Sequence, residues 1–314
     1  MDNLNLAIKE YLKKQTNYAV LISGKWGVGK THYYKNVIEH SILNTSTYSD
    51  NSVKYKSVHI SLFGLSSTEE IQTQIFLSIY PLLKNKAFKL SVGFGKAIAR
   101  GIFAIKNLGD IDKYISDVKQ KEEEWIDLER IVICFDDLER RSSKLPLDEL
   151  IGFINTLVEN NDAKIILIAN EDKIKDDIYK DLKEKVIGVT VEFEADFKKN
   201  IDAIINSRYR PSFSSYANFL QNEIDLILEF SENLDNNLRV LIFTLDKLQY
   251  VYSEIKTKVL DLPSKKNSII ISKLEIIWRF TIATSIEYKK HLISYKNRNE
   301  LDKSSNSDWS RAFI

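Results

Sequence analysis

The stretch AVLISGKWGVGKTHYY (residues 19–34) decides the fold. Its first residues, Ala19–Ser23, form a short apolar run of the kind that makes a buried parallel strand. Three glycines follow within six residues, Gly24, Gly27 and Gly29, and then Lys30 and Thr31. Gly24 to Thr31 fit the pattern G-x-x-x-x-G-K-[ST]. The chemistry needs each part. Glycines let the backbone curl until consecutive N–H groups point inward at an anion. The helix that follows adds its positive N-terminal end. Lys30 is placed to reach the β- and γ-phosphates of a nucleotide, and the Thr31 hydroxyl to ligate Mg²⁺. The expected nucleotide-binding set is Gly24, Lys25, Trp26, Gly27, Val28, Gly29, Lys30, Thr31 and His32. Trp26 is too large to help cradle phosphate. It is expected to face outward and to transmit nucleotide state to a helical domain or a neighbouring subunit.

Working outward, the chain alternates strand and helix. Leu4, Leu6, Ile8 and Leu12 predict a helix over 3–15. Strands are expected at 18–23, 53–63 (VKYKSVHISLF), 131–137 (IVICFDD), 163–170 (AKIILIAN) and 186–196 (VIGVTVEFEAD). Between them, helices are expected from 30, from 66, over 145–160 with Pro146 in the first turn, and over 171–185. Ser67 and Glu70 have the spacing of a capping box. Such alternation implies a parallel sheet covered on both faces. Beyond about 195 every segment reads as helix. The expected domains are therefore a core at 1–195, interrupted by an insertion at about 85–127, and a helical lid or sensor subdomain at 196–314.

The run IVICFDDLERR (131–141) supplies what the glycine loop lacks. Asp136, at the end of a β-prone stretch, is expected beside Thr31 if the two strands are near neighbours, where it holds Mg²⁺ through water. Asp137 is directed to the other side of the strand end. It is the candidate base that polarises or orients an attacking water, with Glu139 as its substitute. Arg140 and Arg141 are candidates for an arginine finger that reaches a γ-phosphate across a subunit boundary. An Asp pair alone is as readily a helix cap, and an Arg pair an exposed bridge. Asn170, ending a strand, suits a hydrogen bond to the attacking water and equally a helix cap. Arg239 opens an apolar helix from which it is expected to fold over the nucleotide; Arg208 and Arg210 are weaker candidates for that role.

Composition removes other classes. The 314 residues carry a formal charge of +1, so no whole-chain field favours nucleic acid or an anionic membrane. One cysteine, Cys134, excludes an intrachain disulfide and a cysteine-based zinc site. No run reaches about 18 apolar residues, the length that spans a bilayer. The N-terminus lacks a secretory h-region, and the chain reads as cytoplasmic.

GKWGVGKT and ICFDDLERR together resemble the KAP-type P-loop NTPases, which look like members of the additional-strand class related to AAA+ and STAND proteins. Gly24, Trp26, Gly27, Gly29, Lys30 and Thr31 match the family's first motif. Asp136, Asp137, Leu138, Glu139 and Arg140 match the second. NNLR, ending in Arg239, is similar to the Asn-x-Arg that opens a sensor helix in that family. The resemblance covers roughly 15–245. It implies an α/β three-layer sandwich with a parallel sheet of about five strands in the order 5-1-4-3-2, followed by a helical subdomain. It also implies ATP and Mg²⁺ as cofactors, a homo-oligomer with a separate effector, and a setting in bacterial anti-phage defence. Many relatives carry transmembrane helices between the motifs. Here Lys89, Lys96, Arg100 and Lys106 interrupt the corresponding insertion, which reads as a docking element, an ordinary amphipathic insert or, over 85–110, a membrane-surface helix.

The expected activity is Mg²⁺-dependent ATP hydrolysis that switches an assembly. The alternatives are a GTP switch, a small-molecule kinase and a module that binds nucleotide with little turnover. ANEDK (169–173) lacks the residue order that reads guanine, and a second carboxylate beside the metal carboxylate is unusual in kinases. Nothing positive supports a nucleic-acid partner. The end SNSDWSRAFI (305–314) has apolar residues and no closing cap, the pattern of a fragment or of a segment that docks an effector.

Overall fold

In the computed structural model, which describes residues 2–79, 128–231, 236–260 and 273–291, each apolar run becomes a strand. These are β1 (Ala19–Ser23), β2 (Lys56–Ser61), β3 (Ile131–Asp136), β4 (Lys164–Ala169) and β5 (Ile187–Glu192). All neighbouring pairs are parallel. The order is β2-β3-β4-β1-β5, which from the other edge is the expected 5-1-4-3-2. The insertion expected at 85–127 and the 305–314 segment lie outside the described residues.

β1, β3 and β4 are buried at every position. A central parallel strand has a helical layer on each face, so it needs apolar residues at both parities. On one face Ala19, Leu21, Ile133, Phe135, Ile165 and Leu167 pack with α4 (Thr68–Ile79), α5 (Leu147–Glu159) and α6 (Tyr179–Val186). On the other lie α1 (Asp2–Leu12) and the helix that leaves the glycine loop. That helix runs as α2 (Lys30–Tyr33), a π-helical turn (Tyr34–Ile38) and α3 (Glu39–Asn44). β5 is an edge strand exposed at most positions. A Cβ on its Gly188 would stand 2.3 Å from the Tyr18 ring, so only glycine lets that ring lie on the strand.

Two local expectations are corrected. Residues 171–185 are not one helix: a 3₁₀ turn (Glu171–Lys173) comes first, and α6 begins at Tyr179. The intervening Asp176 pairs with Arg141 at 3.0 Å, and Ile174 packs on the core. Those tertiary contacts override a helical propensity that is only a weak prior. At the start of α4, Glu70 N lies 3.4 Å from Ser67 Oγ, as a capping box requires, but the Glu70 carboxylate accepts from Ser66 N and Oγ, each at 2.9 Å.

The far end of the sheet is closed by a lysine. Lys164 is 1% exposed, and its Nζ donates to Lys14 O and to Thr16 Oγ1 at 2.7 Å. It also sits 4.8 and 4.9 Å from the centroids of the Tyr11 and Tyr48 rings. Burial pushes its pKa down to about 8. Below that pH the fold carries the cost of a buried charge. The unfolded chain keeps its proton to higher pH, so from about pH 8 to 10 the unfolded state binds more protons and stability rises with pH. The unfolding free energy of the wild type, from urea titration, should therefore gain on that of Lys164→Met between pH 7.5 and 9.5, at a slope up to about 1.4 kcal/mol per pH unit. Parallel curves would mean that the charge carries no cost there.

The chain forms two compact units, Met1–Lys25 with Gly29–Glu194 and Trp26–Val28 with Ala195–Ile314. The second is helical among its described residues: α7 (Phe197–Ile204), a π-helical turn (Ile205–Tyr209), α8 (Ser214–Asn222), α9 (Ile224–Ser231), α10 (Leu238–Ile255) and α11 (Leu274–Lys289). Its core gathers Phe197, Ile201, Tyr216, Leu220, Leu241 and Trp278. Asp196 Oδ1 caps α7 by accepting from Lys199 N, and Asn237 Oδ1 caps α10 by accepting from Arg239 N and Val240 N. No described helix is long and apolar enough to cross a membrane.

Candidate functional site

The glycine loop leaves β1 at the carboxyl ends of the strands, where open α/β sheets bind ligands. Gly24 N extends the β4 ladder by donating to Ala169 O at 3.1 Å, and Phe193 N extends β5 by donating to Ser23 O at 2.7 Å. Gly27 and Gly29 have φ of 80° and 103°, the left-handed region that glycine enters without strain. Gly29 precedes the first turn of α2, and Tyr33 N donates to its carbonyl at 2.8 Å. Lys30 is buried, with Nζ donating to Gly24 O and, at 2.9 Å, to Lys25 O. Its charge is thus held inside the curl of the loop. Lys25 and His32 are exposed, and Trp26 is 43% exposed. Trp26, Gly27 and Val28 group with the helical unit. Within that unit Leu238 N donates to Gly27 O at 2.9 Å, and a Cβ on Gly27 would stand 2.1 Å from Asn237 Oδ1.

β3 brings the carboxylates. Although β4 lies between β1 and β3, Thr31 Oγ1 donates to Asp136 Oδ2 at 2.7 Å, because Thr31 sits on the helix above the sheet. Asp136 is 3% exposed. Its Oδ2 also accepts from His59 Nε2 at 3.2 Å, and its Oδ1 accepts from Asp137 N at 2.8 Å. Burial opposes ionisation of this carboxylate, but the hydrogen bonds from His59 and Thr31 outweigh it and hold the pKa below the usual range. Asp136 is therefore a fixed anion beside the Thr31 hydroxyl.

Asp137 ends the strand by entering the left-handed region, φ 62°, which Asp and Asn tolerate best among residues with a Cβ. Its carboxylate turns from Asp136 and accepts from Ser61 Oγ at 2.9 Å and from Arg140 at 3.3 Å. The Arg140 guanidinium also lies 4.2 Å from the centroid of the exposed Phe63 ring. Glu139, in the 3₁₀ turn Leu138–Arg140, is half-buried. Asn170 is 4% exposed at the end of β4. Its side chain caps no turn, and its carboxamide has no hydrogen-bond partner among the described residues.

Arg141 is held by Asp176. In the second unit, Arg208 pairs with Asp246 at 2.8 Å, and Arg210 donates to Asn206 and Asn218. Arg239 is exposed in the first turn of α10. His59 and Ser61, which contact Asp136 and Asp137, are the residues of this candidate site that sequence reasoning missed. Their signal was present in KSVHIS (56–61), where Ser57, His59 and Ser61 alternate with apolar residues on one face. What the strand pairs with was not legible.

The atoms that Thr31 and Asp136 themselves offer a metal are oxygens, the chemistry that suits Mg²⁺. No group of three or more His, Cys, Asp or Glu among the described residues would hold a metal by itself. A divalent ion here would have to share its shell with water and phosphate oxygens, as Mg²⁺ does beside a bound nucleotide.

The family model described as the KAP family P-loop domain matches residues 1–255, and the chain belongs to that family. A search of curated proteins found no match. Similar solved structures include Cdc6p from Pyrobaculum aerophilum, at 15% identity and TM-score 0.43 over 81% of this chain and 61% of that one. The Aeropyrum pernix ORC1 protein, solved with DNA, has 14% identity and TM-score 0.41 over 87% of this chain and 70% of that one. The Walker-type ATPase paby2304 of Pyrococcus abyssi has 15% identity and TM-score 0.42 over 89% of this chain and 75% of that one. The chain thus spans less than two thirds of the Cdc6p chain.

Proposed function

We propose that this KAP-family chain binds ATP with Mg²⁺ and hydrolyses it, working in the cytoplasm as the switch of an oligomeric assembly. The observation that carries the reading is the 2.7 Å hydrogen bond from Thr31 to Asp136, with a second carboxylate, Asp137, directly after it. Lys30 and the loop amides bind the phosphates. Thr31 and Asp136 would hold Mg²⁺, which supplies charge neutralisation at the phosphoryl oxygens. Asp137 accepts the proton of the attacking water, and Glu139 lies in the 3₁₀ turn that follows it. Asn170 orients that water with its unengaged carboxamide. Arg140 neutralises charge either on its own Asp137 or on a neighbour's nucleotide. Arg239 is the candidate nucleotide sensor, by its resemblance to the Asn-x-Arg that opens a sensor helix.

The resemblance to defence-associated bacterial relatives supports an effector partner and an anti-phage role. Adenine is favoured because ANEDK after β4 lacks the guanine-reading order. Phosphate release should therefore be faster with ATP than with GTP, and should stop in EDTA. Equal turnover of the two would remove the adenine assignment. Tight ATP binding with no release by the purified chain would favour the binding-only module.

A further inference from the structure

We propose that His59 is a positioning residue that holds Asp136 in the orientation needed to take up hydrated Mg²⁺. This rests on the nucleotide site proposed above. Asp136 Oδ2 receives two donors, Thr31 Oγ1 at 2.7 Å and His59 Nε2 at 3.2 Å. A carboxylate only accepts, so Nε2 carries the proton in this pair. Oδ1 is held separately by Asp137 N at 2.8 Å. The two oxygens are thus tied from different directions, which fixes the plane of the carboxylate as well as its position.

His59 is itself fixed. It lies on β2 in register with Cys134 of β3, one residue pair before Ile60↔Phe135 and two before Ser61↔Asp136. Its ring packs on that of Tyr34, with centroids 5.6 Å apart, and the Tyr34 hydroxyl is 3.0 Å from Ser57 Oγ on the same strand. Tyr34 is buried in the π-helical turn that continues the loop's helix. One imidazole therefore touches both the helix that carries Thr31 and the carboxylate that faces Thr31. Donors that hold a metal-binding carboxylate from outside the metal's own ligands orient it, and their removal typically weakens metal binding by about 10–100-fold.

Two variants separate hydrogen bonding from packing. His59→Phe keeps a ring against Tyr34 and removes the donor. His59→Gln removes the ring and keeps a donor. The affinity of a fluorescent ATP analogue is measured in EDTA and across a Mg²⁺ titration, with circular dichroism and melting to confirm folding. His59→Phe should raise the half-saturating Mg²⁺ concentration about tenfold while leaving the affinity in EDTA within about twofold of wild type. His59→Gln should recover most of the loss. Wild-type Mg²⁺ dependence in His59→Phe would overturn the proposal, since packing alone would then explain the residue. So would a folded His59→Gln no better than His59→Phe. If His59→Phe does not fold, His59→Gln and His59→Ala carry the same comparison: equal Mg²⁺ dependence in the two overturns the proposal. A wild type that binds no nucleotide under either condition removes the nucleotide site, and a failure confined to the variants removes only the role of His59.

Discussion

Asp137→Asn is expected to lower the rate of ATP hydrolysis by about 10²–10⁴-fold, the range that a positioned general base supplies. The substitution is chosen to change one property. Asn tolerates the left-handed backbone at φ 62° at least as well as Asp, so the strand end keeps its turn. Its carbonyl oxygen still accepts from Ser61 Oγ, which lies 2.9 Å from the native carboxylate. The loop, Lys30, Thr31 and Asp136 are untouched. ATP affinity should therefore stay within about threefold of wild type, less than half the 1.4 kcal/mol that separates a tenfold change. Rapid-quench measurement of the chemical step, with binding measured separately, reads both quantities. An unchanged chemical step would transfer the base role to Glu139, in the adjacent 3₁₀ turn. Asp137→Ala is a poorer test, because alanine in the left-handed region adds a backbone cost of about 1–2 kcal/mol.

Lys30→Ala is expected to reduce nucleotide affinity by about 10–100-fold, since a hydrogen bond to a charged group contributes roughly 1.5–3 kcal/mol. Lys30 is buried and donates to the carbonyl oxygens of Gly24 and Lys25. Its loss removes a side-chain cation held within the loop's curl and leaves those acceptors to other partners. Lys30→Arg should not restore binding, because a planar fork does not occupy the place of a compact ammonium. Equilibrium binding of a labelled nucleotide, with hydrolysis followed in parallel, checks both variants. Hydrolysis that survives Lys30→Ala at the wild-type rate would falsify the site assignment. The two variants also separate from each other: Lys30→Ala fails at binding, whereas Asp137→Asn binds and stalls.

Much of this site was legible because its parts are contiguous. Gly24–Thr31 is a single loop whose pattern states its own chemistry, and Asp136 and Asp137 follow directly from a run of β-prone residues. The strands were legible for the same reason: a segment buried on both faces must be apolar at both parities, which is a local property. Helix boundaries were less so. Glu171–Lys185 has the charge and spacing of a helix, yet Asp176 is drawn to Arg141, 35 residues away in the chain. The arginines divide in a way no spacing reveals. Arg140 turns onto Asp137 and Phe63, Arg141 onto Asp176, and Arg208 onto Asp246.

By itself the sequence determined a five-strand α/β core with a glycine-rich loop of the phosphate-binding pattern, a carboxylate pair at a strand end and a helical second part. Only the tertiary structure decided which side chains hold those groups in place. His59 meets Asp136 across 77 residues of chain, and Ser61 meets Asp137 across 76. Both contacts exist because β2 lies beside β3 in one parallel register, Ser61 opposite Asp136. A slip of one residue would turn the polar row of β2 to the other face of the sheet. Register is set by the packing of whole layers, so the partners of Asp136 and Asp137 emerge only when the sheet is assembled.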